Sequence, residues 1–409
     1  MQSMTLMRSG YSSCLVLLSA GVCVAQAWAA EFIDEFDQRD PAAAGWTTAT
    51  GDGDARIRFS SAGGTAYIDV DAREDVRNIW WAFIRHPVTP AIDEAELARP
   101  DRELRIEARV RTDTAPRRIN LHANHTRTTD FHSHLREYDL PATKEWFDIS
   151  MTTRDFDARA DDEVFVQLAL MDWGRRTYRL EIDYIRVRVV DPAEAGPDLG
   201  RPLPYRPNVP APVSYPHAVP ITAAATVDRA APQTAGAWRS PDNGESAGQL
   251  LAGPSQVIVL RWDFAGIGAR TAPGWGVLAL DTASVLERRA DLESFTELRV
   301  AEILAGDRSW TAADVKWDSF LGGRPEWAVI NEQPMIDVRP AAAGTRTLIP
   351  VSPPVLERLL DGRSKGLAIS SHGGVVASFA AGDDAPPTLY FDATPGTTTQ
   401  TQEGHPEND

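Results

Sequence analysis

The chain has 409 residues, 43% of them hydrophobic and 24% charged, with a formal net charge of −17. At about 150 residues per domain this length suits two domains, and the apolar content is enough for packed cores, which excludes wholesale disorder. So acidic a chain lacks the surplus of cations that neutralises phosphates, so nucleic acid is excluded as a partner.

Residues 1–30 read as a secretory signal. Arg8 precedes the apolar run from Cys14 to Ala25, and Ala27-Trp28-Ala29 supplies a small-x-small cleavage pattern. A run of about 12 residues is too short to span a bilayer, which needs roughly 20. Both cysteines, Cys14 and Cys23, lie in it, so the mature chain is expected to carry no disulfide. Val22 does not suit a lipoprotein signal, where a small residue is wanted. The expectation is a secreted or periplasmic protein with no membrane insertion.

From 31 to 190 short runs alternate with period two between turn residues. Leu104, Ile106, Ala108 and Val110 face one way, and Arg105, Glu107, Arg109 and Arg111 the other. Val164–Leu170 and Leu180–Val190 continue the pattern. Many short strands without long helical periods predict a β-sandwich or jelly roll. Residues 192–220 hold nine prolines and are expected to form an extended linker, 191–220, between two units. Strands resume over 221–395 at Val257–Phe264, Trp275–Leu280, Glu297–Leu304 and Gly366–Ser370. Val355–Leu360, after Pro353-Pro354 and before Gly362, is the best helix candidate. The polar tail 396–409 is expected to be disordered. The predicted fold class is thus all-β, two jelly-roll sandwiches joined by a Pro-rich linker.

The second half resembles the DNRLRE-type jelly-roll module, a family associated with carbohydrate binding. The matching elements are Leu260-Arg-Trp-Asp-Phe264, Leu298-Arg-Val-Ala-Glu-Ile303, Ser309-Trp-Thr311, Val315-Lys-Trp317, Gly366-Leu-Ala-Ile-Ser370, Ala377-Ser-Phe379 and Pro386-Pro-Thr-Leu-Tyr390. Phe379-Ala380 stands where that family often carries Arg-Glu. The resemblance implies a jelly roll in which Trp310 and Trp317 are structural. The ends of the first half, Phe32–Asp37 with Trp46 and Leu180–Val187, are similar in a general way to jelly-roll carbohydrate-binding modules and polysaccharide lyases.

Chemistry-bearing residues concentrate in the first half. Four of the eight histidines, His122, His125, His132 and His134, fall within 13 residues. On a strand, Asn120, His122 and Asn124 point away from Ile119, Leu121 and Ala123. A turn at 126–130 followed by a return strand would put His132, His134, Arg136 and Tyr138 on one face, which hairpin pairing could join to the first. If 104–111 lies in the same sheet, Arg105 and Arg109 extend that face. The expected product is a groove of Asn, His, Arg and Tyr that suits an acidic polysaccharide, because arginine forks hold carboxylate or sulfate and aromatic rings stack on sugars. Arg105, Arg109, Asn120, Asn124, His125 and His132 are the binding candidates, with Trp80 as a sugar platform. The same set suits β-elimination at a uronate, with His122, His134, Arg136 and Tyr138 as catalytic candidates. A structural or adhesive envelope protein is the third reading.

Zinc or copper on His122, His132 and His134 is an open alternative. No cofactor is demanded, but structural calcium on Asp37 and Asp183, with Asp34, would be available if the first and last strands meet. No phosphate-binding glycine loop, His-Glu-x-x-His or Gly-x-Ser-x-Gly is present.

Overall fold

A computed structural model describes residues 31–395 apart from 39, 52–53, 76–81, 116, 172, 204–207, 236–248, 268–269, 288–295, 307–309, 312–313 and 383–385. The signal segment, the C-terminal tail and Trp80 therefore lie outside the described residues.

Eleven strands build the first sandwich: β1 (Glu31–Asp34), β2 (Thr47–Thr50), β3 (Arg56–Ala62), β4 (Thr65–Asp71), β5 (Ala82–Pro87), β6 (Glu103–Thr112), β7 (Arg118–His125), β8 (Leu135–Asp139), β9 (Phe147–Thr152), β10 (Val164–Leu170) and β11 (Thr177–Val190). One sheet runs β3-β4-β11-β6-β9, with β1 also on β11; the other runs β2-β5-β10-β7-β8. Only β3–β4 and β7–β8 are hairpins; every other connection crosses between the sheets, which is jelly-roll wiring. The β3–β4 turn is the two-residue Gly63-Gly64, both at positive φ (61° and 75°), the geometry that matches strand twist.

Period-two sequence becomes two faces. In β6, Leu104, Ile106, Ala108 and Val110 are at most 1% exposed and meet Ile84, Leu121, Val166 and Leu168 of the facing sheet. Each such aliphatic side chain contributes about 1.5–3 kcal/mol of burial free energy. In β7 the inward set is Ile119, Leu121 and Ala123, so Asn120, His122 and Asn124 stand on the outer face.

The second sandwich repeats the plan. Its five-stranded sheet follows the order Ala223–Asp228, Gln256–Arg261, Gly366–Gly373, Thr296–Ile303 and Ile336–Val338. The opposing sheet is His217–Pro220, Thr388–Phe391, Gly276–Glu287, Val375–Ala380 and Gln249–Ala252, with Arg346–Val351 also on Gly276–Glu287. The five-stranded sheet is apolar on both faces. Leu260, Val300 and Ile369 face the inner core, while Val257, Val259, Ala301 and Ala368 are covered by Trp310, Trp317, Phe320, Val329 and Ile330 from the segment that follows Thr296–Ile303. That double burial explains the unbroken apolar run Val257–Leu260. The helix expected near 355–360 spans Pro353–Leu360.

The two units meet through buried polar contacts. Arg118 donates from Nε to Asp139 Oδ1 (2.8 Å) and from Nη2 to the Met335 carbonyl (2.9 Å). Gln333 Nε2 donates to the Met171 carbonyl (2.8 Å), and Ser352 Oγ donates to Asp139. Arg358 holds Glu302 through two bonds of 2.9 and 2.7 Å and reaches the Leu140 carbonyl at 3.2 Å. Burial opposes charge on Asp139, but Arg118, Arg358 and Ser352 outweigh it and hold the carboxyl below its usual value.

The proline-rich stretch is packed, not free. Leu203, 3% exposed, exchanges backbone bonds with Glu137, and Leu199 N–H donates to Ser150 Oγ (2.8 Å). Arg201 and Tyr215 then bond Glu357 and the Trp275 carbonyl of the second unit.

Candidate binding groove

Register decides which side chains share the outer face of β2-β5-β10-β7-β8, because residues directly opposite in an antiparallel pair point the same way. Arg85, Gln167, His122 and Leu135 form one line across four strands, and Phe83, Ala169, Asn120 and Glu137 the next. Arg85, Gln167, His122, Leu135, Phe83 and Ala169 of these lines border a groove of about 430 Å3 together with Phe131, His132 and Met171. Phe131 comes from the 126–134 loop and is 55% exposed. Arg127 pins that loop, bonding Asp162 through Nε (2.9 Å) and Nη2 (2.8 Å).

The floor is polar, buried and short of partners. His122 is 8% exposed, and among the described residues neither ring nitrogen has a partner of hydrogen-bonding geometry. Burial pushes its pKa down to about 4, against the opposing influence of the Phe131 backbone, so the imidazole is neutral near pH 7. Asn120 Oδ1, Asn124 Oδ1 and Arg85 Nε are likewise buried without a partner. Asn120 Nδ2 lies 3.0 Å from Met171 Sδ, and Asn124 Nδ2 donates to Gln167 Oε1 at 3.1 Å. The Arg85 guanidinium lies 3.4 Å from the Phe165 ring centroid, and burial lowers its pKa. His132 keeps Nδ1 3.1 Å from Asp130 Oδ1.

The expected single face divides in two. Asn120, His122, Asn124 and His132 belong to the groove side. His134, Arg136 and Tyr138 do not join them, since Leu135 is the residue opposite His122. Tyr138 is fully buried, donates to the Ser150 carbonyl (2.8 Å), and is held well above its ordinary pKa by burial. Arg136 donates to the neighbouring Leu135 carbonyl. His125 and His134 flank Phe156, with ring centroids 5.2 and 4.9 Å from it, and burial lowers His134. The β-elimination set is therefore not assembled: of its four members only His122 lines the groove.

The arginines of β6 are a second correction, because β6 lies in the opposite sheet. Arg105 is 3% exposed and is consumed by Glu107 (2.7 Å), Ser150 and the Pro197 carbonyl. Arg109 faces Asp183 at 3.4 Å, with Trp146 5.8 Å away. The expected meeting of first and last strands does occur, β1 pairing with β11. Yet Asp183 lies at a bulge and turns to Arg109, and Asp34 accepts from Trp46 Nε1 (2.7 Å) and Phe36 N–H (2.8 Å), while Asp37 is exposed. Among the described residues no three His, Asp, Glu or Cys side chains are grouped to hold a metal ion, and the proposed histidine trio is divided by the sheet.

Sequence reasoning missed Phe83, Arg85, Phe131, Leu135, Gln167, Ala169 and Met171. The signal was present in Val164–Leu170: with Val164, Val166, Leu168 and Leu170 inward, Phe165, Gln167 and Ala169 had to share the outer face.

No protein-family model matches the chain, and no curated protein matches it. Solved structures to which it is similar include carbohydrate-binding modules. A CBM4 structure is 20% identical, covering 38% of this chain and 97% of its own, with a TM-score of 0.27. The family 11 module of the Clostridium thermocellum cellulosomal cellulase Lic26A-Cel5E is 10% identical over 40% of this chain and 97% of its own, TM-score 0.27. The CBM22-1–CBM22-2 tandem of Paenibacillus barcinonensis Xyn10C is 11% identical, covering 91% of this chain and all of its own, TM-score 0.27.

Proposed function

We propose that this protein binds a polysaccharide, whose chain lies across the strands of the β2-β5-β10-β7-β8 sheet. One observation carries the reading: His122 and Arg85, with ring nitrogens and Nε that find no partner among the described residues, line a groove together with Phe83, Phe131, Leu135 and Met171. Leaving a buried polar group unmatched costs about 1–3 kcal/mol. A sugar offers hydroxyls that donate and accept to such a floor, and C–H faces that pack on aromatic walls. An acidic chain is the finer form of the proposal, with Arg85 receiving a carboxylate or sulfate. Delivery to the periplasm or exterior by residues 1–30 belongs to the same proposal.

Affinity electrophoresis of the full chain against neutral and uronate or sulfated polymers tests it. Retardation by at least one polymer is expected, weakened about tenfold (~1.4 kcal/mol) by Phe131→Ala and by His122→Ala. Absence of retardation on every polymer overturns the proposal and favours a protein partner. Ultraviolet-absorbing unsaturated products would revive the lyase reading.

A further inference from the structure

A second cavity, of about 500 Å3, opens where the two sandwiches meet. Its floor is Arg299, Ser370 and His372 on the outer face of the second unit's five-stranded sheet. In the first unit the corresponding outer face carries the groove. Here the aromatic segment covers Val257, Val259 and Ala301 but leaves this end of Thr296–Ile303 and Gly366–Gly373 open. The first unit closes the cavity with Gly174 and Arg175. Gly174 is at φ +97°, and a Cβ there would come within 2.5 Å of Glu332 Cβ, so only glycine lets the two units approach this closely.

Charge and shape both favour an anionic sugar. Arg176 faces Glu332 (3.5 Å), Arg229 faces Glu326 (2.6 Å) and Arg299 faces Asp337 (2.8 Å). The backbone of Arg175 bonds the Glu332 carboxyl, while its exposed guanidinium has no carboxylate partner among the described residues. Behind the wall, Arg117 is 3% exposed and, among the described residues, donates to neutral groups, the Trp173 carbonyl (3.0 Å) and Asn331 Oδ1 (3.3 Å). Of the groups that line the cavity, three guanidinia (Arg175, Arg229 and Arg299) thus stand against two carboxylates (Glu326 and Glu332), and the buried Arg117 cation behind them adds to the local potential. Burial pushes the Glu332 carboxyl up, against the opposing influence of Arg176 and Arg117. Trp327 supplies an apolar surface: it is 47% exposed, and the Arg176 guanidinium lies over its ring at 3.9 Å.

We propose that this junction cavity is a second carbohydrate site, taking a carboxylated or sulfated sugar residue against Trp327 and Arg175. It is separate from the groove and stands whether or not the groove binds glycan.

Calorimetric titration of the full chain with hexagalacturonate, a sulfated dextran oligomer and neutral xylohexaose tests it. The expected result is that Arg175→Ser and Trp327→Ala each weaken at least one anionic probe tenfold or more, with Arg175→Lys recovering only part because the fork is lost. Neither should alter binding of the neutral probe. Both residues are exposed, so an unchanged thermal midpoint confirms that the variants fold. Phe131→Ala reads the groove independently: if it has no effect while the junction variants do, the groove proposal fails and this one holds. Wild-type binding of neither anionic probe, or unchanged anionic affinity in both junction variants, overturns it.

Discussion

His122 and Tyr138 show how hydrogen-bond partners, not burial, sort two candidate functional groups. Both are enclosed, but His122 faces the groove with unmet nitrogens, whereas the Tyr138 hydroxyl is already bonded to Ser150. Tyr138→Phe is expected to lower stability by about 1 kcal/mol, the worth of one such bond, and to leave glycan affinity unchanged. His122 makes a prediction with a definite sign. Its pKa is near 6.5 in an unfolded chain and about 4 in the native one. Between those values the unfolded state binds a proton that the native state refuses. Stability is therefore fully present above about pH 6.5 and declines as pH falls toward 4, by up to ~1.4 kcal/mol per unit. Denaturant midpoints between pH 7 and 4.5 should fall more steeply for the wild type than for His122→Gln.

At the scale of elements, the loop between β7 and β8 settles both what was legible and what was not. Alternation identified β6, β7, β10 and β11 and the inward sets of each, since a half-buried strand writes its faces into its sequence. Alternation cannot be carried through a loop. The chain leaves β7 at His125 and re-enters pairing at Leu135, and the turns at 126–134 return it with the opposite parity. A shift of one residue moves every side chain to the other face, which is why Arg136 and Tyr138 left the expected groove. Sheet membership was equally hidden: Arg105 and Arg109 alternate as predicted, but only long-range pairing shows that β6 lies opposite. The loop itself hangs on Asp162, whose carboxyl Arg127 and the Arg159 N–H pull down to about 2. Asp162→Asn should loosen the segment bearing Phe131 and weaken glycan binding severalfold. In the wild type, the stabilisation from Asp162 should persist above about pH 4 and disappear as pH falls toward 2.

Across the whole molecule, buried polar contacts join the two sandwiches, which are expected to unfold as one cooperative body. Arg358 and Glu302 are 3% and 4% exposed, and Arg358 also reaches Leu140 of the first unit. Removing one partner of a buried pair strands the other, at a cost of about 3–5 kcal/mol. Calorimetry is expected to show a single transition for the wild type, and a destabilised second unit that melts separately in Arg358→Ala. Nothing local in the sequence announces this interface. Partners such as Arg117 with Asn331 and Arg358 with Leu140 lie more than 200 residues apart, and the proline run that reads as a spacer bonds residues of both units.

The covered sheet of the second unit has a consequence for the first. There Trp310, Trp317 and Phe320 act as a built-in occupant, quenching the demand of an apolar sheet face with the protein's own chain. Among the described residues of the first unit no aromatic segment of that kind lies over Leu135 and Gln167. A copy of the second unit's aromatic segment grafted onto that face is expected to act as a self-inhibitor, abolishing the retardation that the proposed groove gives in affinity electrophoresis.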